Sequence, residues 1–221
     1  INKKNTDEIF DNKIIKVINS LNEVYLILEI LRKKRGALNL ELSERKILFN
    51  NSGWPTQIKK VNGLISNKII EELMILANVS AAEEIIEFSY PGIYRVHEPP
   101  SPEKYKSLID IIGKPLANIL IGKVPHPLLM NKILENTKET ADYDMINQSI
   151  LRSQSQAKYH NENKSHFGLA LKKYVHFTSP IRRYSDLIIH RQIIEIINNK
   201  NKRKSNLTTP KSNNKKFKII S

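Results

Sequence analysis

HFGLALKKYVHFTSPIRRYSDLIIHR, residues 166–191, decides how the rest of this 221-residue chain is read. The stretch holds three histidines, two tyrosines, a Ser-Pro pair, twin arginines and an aspartate. Gly168 and the alternation of Leu169, Leu171, Tyr174 and Phe177 predict an extended, strand-like run. Ser179 and Pro180 then predict a helix start, because a serine oxygen caps free amides and the first turn leaves proline's missing N–H unused. From Ile181 onward, Tyr184, Leu187, Ile188, Ile193, Ile194 and Ile197 recur at helical spacing.

On that helix Arg182, Asp186 and His190 stand four apart, on one face, and Arg183 lies three before Asp186. Two cations in a first helical turn are unfavourable by ~0.3–1 kcal/mol each unless an anion joins them. Exposed amides, a serine hydroxyl and two guanidinium forks make a seat for phosphate. The same spacing fits an Arg–Asp pair that orders a surface turn, and spacing alone leaves both readings open.

Working outward, residues 14–35 predict an amphipathic helix lined by Ile14, Ile15, Ile18, Leu21, Tyr25, Leu28 and Leu31, with cations at its end and Gly36 closing it. Residues 46–61 predict a hairpin about Asn51-Ser52-Gly53. A second helix over 62–88 turns Ile69, Leu73, Leu76, Ala77 and Ala81 to the core, and Tyr90-Pro91-Gly92 ends it before a short strand over 93–97. Ser101-Pro102-Glu103 opens a further helix that stops before Gly113. Residues 114–127 read as a loop with an apolar insert, followed by helices over 127–137 and 142–157 and a polar loop over 160–165.

Composition narrows the class. With 40% hydrophobic residues the chain is long enough for a sizeable core. The absence of cysteine excludes disulfides and thiolate metal sites. No apolar run reaches the ~18 residues of a membrane span, and no charged-then-apolar leader opens the chain, so the expected compartment is the cytoplasm, with no membrane partner. Of the net charge of +14, eight belong to residues 199–221, which contain no acid, leaving six on residues 1–198. That tail is predicted to be disordered, and it either holds nucleic acid without sequence preference or simply solubilises the end. Ile1 comes first and Met74 is the first methionine, which predicts a fragment, a nonstandard start or one piece of an interrupted gene.

Two further blocks accompany the opening stretch in order: KKRGALNLELSERKILFNNSG (33–53), and IIEELMILANVSAAEEI (69–85) followed by IYRVHEPPSPEKYKSL (93–108). Together the three blocks resemble the RNB family, the ribonuclease II and ribonuclease R exoribonucleases, nearer its ribonuclease R branch. The resemblance covers residues 14–198. It implies an α+β fold: the helix-rich C-terminal part of an RNB catalytic domain, with short strands and a hairpin, built around a channel for single-stranded RNA. Residues 1–198 are then a partial RNB domain and 199–221 a basic tail. The implied reaction is magnesium-dependent hydrolysis of single-stranded RNA from the 3′ end to nucleoside 5′-monophosphates.

The family's Mg2+ site is an aspartate cluster upstream of the stretch matched by Ile14, so the metal ligands are expected outside this chain, and an upstream fragment of the same enzyme is the implied partner. The carboxylate pairs at Glu71-Glu72, Glu83-Glu84 and Asp142/Asp144 read as solvated faces. The alternative is a truncated, inactive remnant that binds RNA through Arg182, Arg183 and the tail. By resemblance, Arg182 is the arginine that grips a phosphate near the 3′ end and serves cleavage, and Glu71 contacts the 3′-terminal nucleotide while Glu72 faces solvent. Tyr174, His176, Thr178, Ser179 and Arg183 are expected to touch RNA, and Asp186 to orient Arg182 or Arg183. His97, His166 and His190 are expected as hydrogen-bonded structural residues. An aromatic that stacks on a terminal base is expected near Leu38 to Leu40, where none stands.

Overall fold

The computed structural model describes residues 12–40, 44–61 and 63–203. Residues 199–203 are helical rather than part of a disordered tail, and the rest of that expectation, from 204 onward, lies outside the described residues. The order of elements is α1 (Asn12–Arg35), β1 (Glu44–Phe49), β2 (Pro55–Val61), α2 (Ile65–Glu87), β3 (Tyr94–Val96), α3 (Pro102–Ile111), α4 (Lys114–Ala117), α5 (Pro127–Thr137), α6 (Tyr143–Ser153), β4 (Lys158–His160) and α7 (Tyr184–Arg203). This is the helix-rich α+β class, with short antiparallel strands.

Two compact units result, one from the described residues of Ile1–Lys34 and Glu41–Met74, the other from the described residues of Arg35–Leu40 and Ile75–Ser221. In the first, β1 and β2 form the expected hairpin. Asn50 closes its turn by accepting the amides of Ser52 and Trp54 at 3.0 and 2.9 Å, and Gly53 supplies the positive φ of 80°. The long face predicted on α1 is not a buried one. Tyr25 alone is buried on that helix, while Ile14, Ile18, Leu21 and Leu31 stay exposed. An apolar stripe specifies a face but not what covers it.

In the second unit α3, α4, α5 and α6 close around Leu108, Leu120, Met130, Ile133 and Ile150. Ser101 caps α3 as expected, accepting from the Lys104 amide. The segment 114–127 is more regular than a loop, because α4 forms a turn of helix and seats Leu120 fully out of water. Helix α6 stops four residues early. Ser153 Oγ and Gln154 Nε2 both donate back to the Ile150 carbonyl, at 2.7 and 2.8 Å, and the chain then extends into β4.

A second core joins Ala81, Ala82 and Ile85 of α2, Tyr94 and Val96 of β3, Val175, and Ile189 of α7. The inward face of α2 is therefore Ile69, Glu72, Ile75, Asn78, Ala81, Ala82 and Ile85, with Ile69 and Ala81 as expected, and Leu76 is exposed. Two buried polar residues with partners displaced the face that apolar spacing alone selects. Residues 166–177 form no continuous strand. Isolated bridges join His97 to His166, His166 to Leu171 and Tyr94 to Val175, with a turn at Ala170 (φ 50°).

Candidate nucleic-acid interface

The segment 174–191 is held by two polar anchors. Asn78, buried on α2, donates to the Tyr174 hydroxyl at 2.9 Å and accepts the Phe177 amide at 2.8 Å. Nε2 of His190 lies 2.8 Å from the Phe177 carbonyl oxygen, and the two rings stack with centroids 4.1 Å apart. The strand-like run is thus pinned to a helix on each side of Phe177.

Helix α7 does not begin at Ser179-Pro180. Residues 180–182 form a turn in which the amides of Arg182 and Arg183 both donate to the Ser179 carbonyl, and the helix starts at Tyr184. The serine that sequence marks as a cap is used through its backbone. The carboxylate that organises this start is Asp186, which has no exposed surface. It accepts the Ser179 amide at 2.8 Å, Nε and a terminal nitrogen of Arg183 at 2.9 and 2.7 Å, and the Ser185 hydroxyl at 3.1 Å. Although burial pushes its pKa up, the Arg183 guanidinium and the Ser179 amide hold it below the ordinary aspartate value.

Of the two arginines that spacing left open, Arg183 is therefore the one paired with Asp186, as a bidentate fork. Arg182 is exposed, and among the described residues its side chain forms no ion pair. Arg95 of β3 likewise has no ion-pair partner among the described residues, and its guanidinium carbon sits 5.0 Å from the Tyr159 ring centroid. His176 lies among these cations. Its pKa is lowered to about 4, first by burial, then by Arg183 and Arg95, with Arg182 adding to them. Burial and the neighbouring His97 and Arg95 lower His166 to about 3.

Both imidazoles are neutral at pH 7, and each is built into the protein. His97 Nδ1 accepts the Gly168 amide at 2.9 Å, and the His97, His166, Tyr174 and His176 rings follow one another at 5.0, 5.3 and 5.8 Å, edge to face. Tyr174 is buried with its hydroxyl on Asn78, which removes it from direct reach of a ligand. Thr178 Oγ1 is buried without a hydrogen-bond partner among the described residues. The structure thus brings His176, Thr178, Ser179, Arg182, Arg183 and Asp186 into one segment. Glu71 belongs to the first unit, where it is exposed and 3.0 Å from Arg32 Nη1. Glu72, expected in solvent, is instead the buried partner of that same guanidinium. A desolvated carboxylate needs such a partner, and apolar periodicity does not report one.

The profile of the RNB domain matches residues 1–199. The chain belongs to the RNB family. It is 37% identical over 197 residues to ribonuclease R of Vibrio cholerae, covering 89% of this chain and 24% of that protein. It is 38% identical over 180 residues to ribonuclease R of Escherichia coli, covering 81% of this chain and 22% of that protein. In structure it resembles Mycoplasma genitalium RNase R in complex with ribose-methylated single-stranded RNA, with a TM-score of 0.74, 29% identity, and coverage of 84% of this chain and 29% of that one. The chain spans about a quarter of the length of the curated relatives it matches.

A divalent ion needs several oxygen ligands converging on one point. Among the described residues no three His, Asp or Glu side chains do so, and the oxygens of Asp186 are taken by Arg183, Ser179 and Ser185. The described part of this RNB chain does not by itself fit a divalent ion. No described helix is long and apolar enough to cross a membrane. Tyr159, Arg95 and Asn78 were not singled out by sequence as part of this segment. Only Asn78 carried a signal, as an amide among the apolar Ile75, Ala81 and Ala82.

Proposed function

We propose that this chain supplies the RNA-holding part of a 3′-to-5′ exoribonuclease that hydrolyses single-stranded RNA to nucleoside 5′-monophosphates. The observation that carries the reading is the surplus of positive charge on one segment. Arg182 and Arg95 lack ion-pair partners among the described residues, Arg183 is committed to Asp186, and His176 is kept neutral in their company. Such a surplus is relieved by an anion, and family membership together with an RNA-bound structural relative makes a phosphodiester the fitting one.

Each residue then has a role. Arg182 grips the phosphate and stabilises charge developing on its oxygens during cleavage. Asp186 orients Arg183, and through the Ser179 amide it holds the turn that presents Arg182. His176 and Ser179 face sugar or phosphate, Thr178 lies between them with its hydroxyl buried, and the buried Tyr174 supports the His176 ring by edge contact. Glu71 serves the 3′-terminal nucleotide. In this reading the ion is Mg2+, with its ligands supplied by an upstream fragment of the same enzyme, and the compartment is the cytoplasm, in keeping with a cysteine-free chain. No observation favours the alternative of an inactive remnant over this reading.

The test is incubation of the purified chain with 5′-labelled single-stranded RNA and Mg2+, with an EDTA control, alone and with an aspartate-bearing upstream segment restored. The reading expects bound RNA from the chain alone, and a metal-dependent ladder shortening from the 3′ end once the segment is present. RNA that is neither bound nor cut in either mixture contradicts it.

A further inference from the structure

Tyr159 and His176 meet over β3. Arg95 and Tyr159 are cross-strand partners on β3 and β4 and so share a face. At the opposite edge of β3, the Arg95 amide donates to the Tyr174 carbonyl at 2.9 Å, and Tyr94 bridges Val175. His176, two residues beyond Tyr174, presents its ring toward the same side, with Tyr174 and Tyr159 at 5.8 and 5.6 Å. The Tyr159 hydroxyl lies 2.8 Å from His176 Nδ1. His176 is half-buried, and its Nε2 has no hydrogen-bond partner among the described residues.

We infer that Tyr159 is a positioning residue: its O–H donates to Nδ1 of His176, fixes the Nε2–H tautomer, and so presents an uncharged donor to the phosphodiester held by Arg182. The inference rests on the RNA-holding reading above. Two features of the site favour this direction of donation. The Arg95 cation against the Tyr159 ring draws charge from the phenol and strengthens its hydroxyl as a donor. Around the imidazole stand Arg95, Arg182, Arg183, Tyr159, Tyr174 and His166, together with the anion Asp186. Burial and those arginines hold His176 far below neutrality, so Nδ1 remains a free acceptor for the phenol. A neutral N–H adds grip on a phosphate oxygen without a further positive charge. The grip is therefore expected to vary little between pH 5.5 and 8.

The test combines 15N NMR of the His176 ring with fluorescence anisotropy on 5′-labelled single-stranded RNA. The wild-type chain is expected to show the Nε2–H tautomer at pH 7 and constant RNA affinity from pH 5.5 to 8. Tyr159→Phe should mix the tautomers and weaken RNA binding by about two-fold, in proportion to the fraction of rings left in the Nε2–H form. In a His176→Ala background the same substitution should add no further loss. A tyrosine that only ties strands together would not move the tautomer. An Nδ1–H tautomer in the wild-type chain overturns the inference. So does Tyr159→Phe binding as wild type while Arg182→Ala is weakened, which leaves the RNA-holding reading standing. If Arg182→Ala and His176→Ala both bind as wild type, the reading itself falls and the inference with it. Should Tyr159→Phe fail to fold, the wild-type tautomer and pH profile decide alone, and affinity rising toward pH 5.5 counts against it.

Discussion

Replacing Asp186 with Asn removes the one anion from a fully buried position on which four donors converge: the Ser179 amide, two nitrogens of Arg183 and the Ser185 hydroxyl. Asparagine keeps one acceptor oxygen and turns an amide group toward the donors that faced the other. The Arg183 side chain, only 20% exposed, is left without its counter-ion. Breaking a buried pair from one side costs about 3–5 kcal/mol, and the retained oxygen places Asp186→Asn near 3 kcal/mol. Urea unfolding followed by circular dichroism reads this directly. The effect carries a pH sign. Because Asp186 is held below its ordinary value, its contribution is complete above about pH 4 and is lost as pH falls through the folded value, so the gap between wild type and variant closes in acid. Removing both partners, as in Asp186→Leu with Arg183→Met, should cost less than Asp186→Asn, since no buried charge is stranded. A loss under about 1 kcal/mol for Asp186→Asn would refute the claim that this carboxylate organises the start of α7.

Two other perturbations bear on the same segment. His166 and His176 are neutral in the folded chain and bind protons in the unfolded one below about pH 6.5, so stability should fall between pH 6.5 and 4, by up to about 1.4 kcal/mol per pH unit for each. Unfolding curves across that range check it, and His166→Gln should flatten the slope; an unchanged slope counts against a neutral His166. Asn78→Leu strands the Phe177 amide at about 1–3 kcal/mol, read as a shift in the urea midpoint at constant slope.

Much of the framework is legible from side-chain pattern. The Ser101-Pro102 cap, the Asn50–Gly53 hairpin turn and the long helices α1 and α2 all stand where local residues place them. The misreadings occur where a polar group does something other than its local habit. Ser179 looks like a cap but lends its backbone to the turn, because Asp186 seven residues on satisfies the amide that a cap would leave free. Glu72 looks like surface, but Arg32 forty residues earlier neutralises it. Strand β4 was hidden because a three-residue strand is too short to establish a period, and Tyr159 enters the site only through pairing with β3. The choice between Arg182 and Arg183 as partner of Asp186 was equally closed to sequence, since i,i+3 and i,i+4 spacing are both competent on a helix. The turn that precedes α7 makes that choice.

The central claim is that Arg182 offers its charge to RNA because nothing in the described protein takes it. Anisotropy titration of 5′-labelled single-stranded RNA against wild type, Arg182→Ala and Arg152→Ala tests this with a matched change in charge, since Arg152 is an exposed arginine on α6. The account predicts about ten-fold weaker binding for Arg182→Ala with an unchanged urea midpoint, and less than about two-fold for Arg152→Ala. Equal losses for the two variants would mean that RNA sees only net charge and would contradict it.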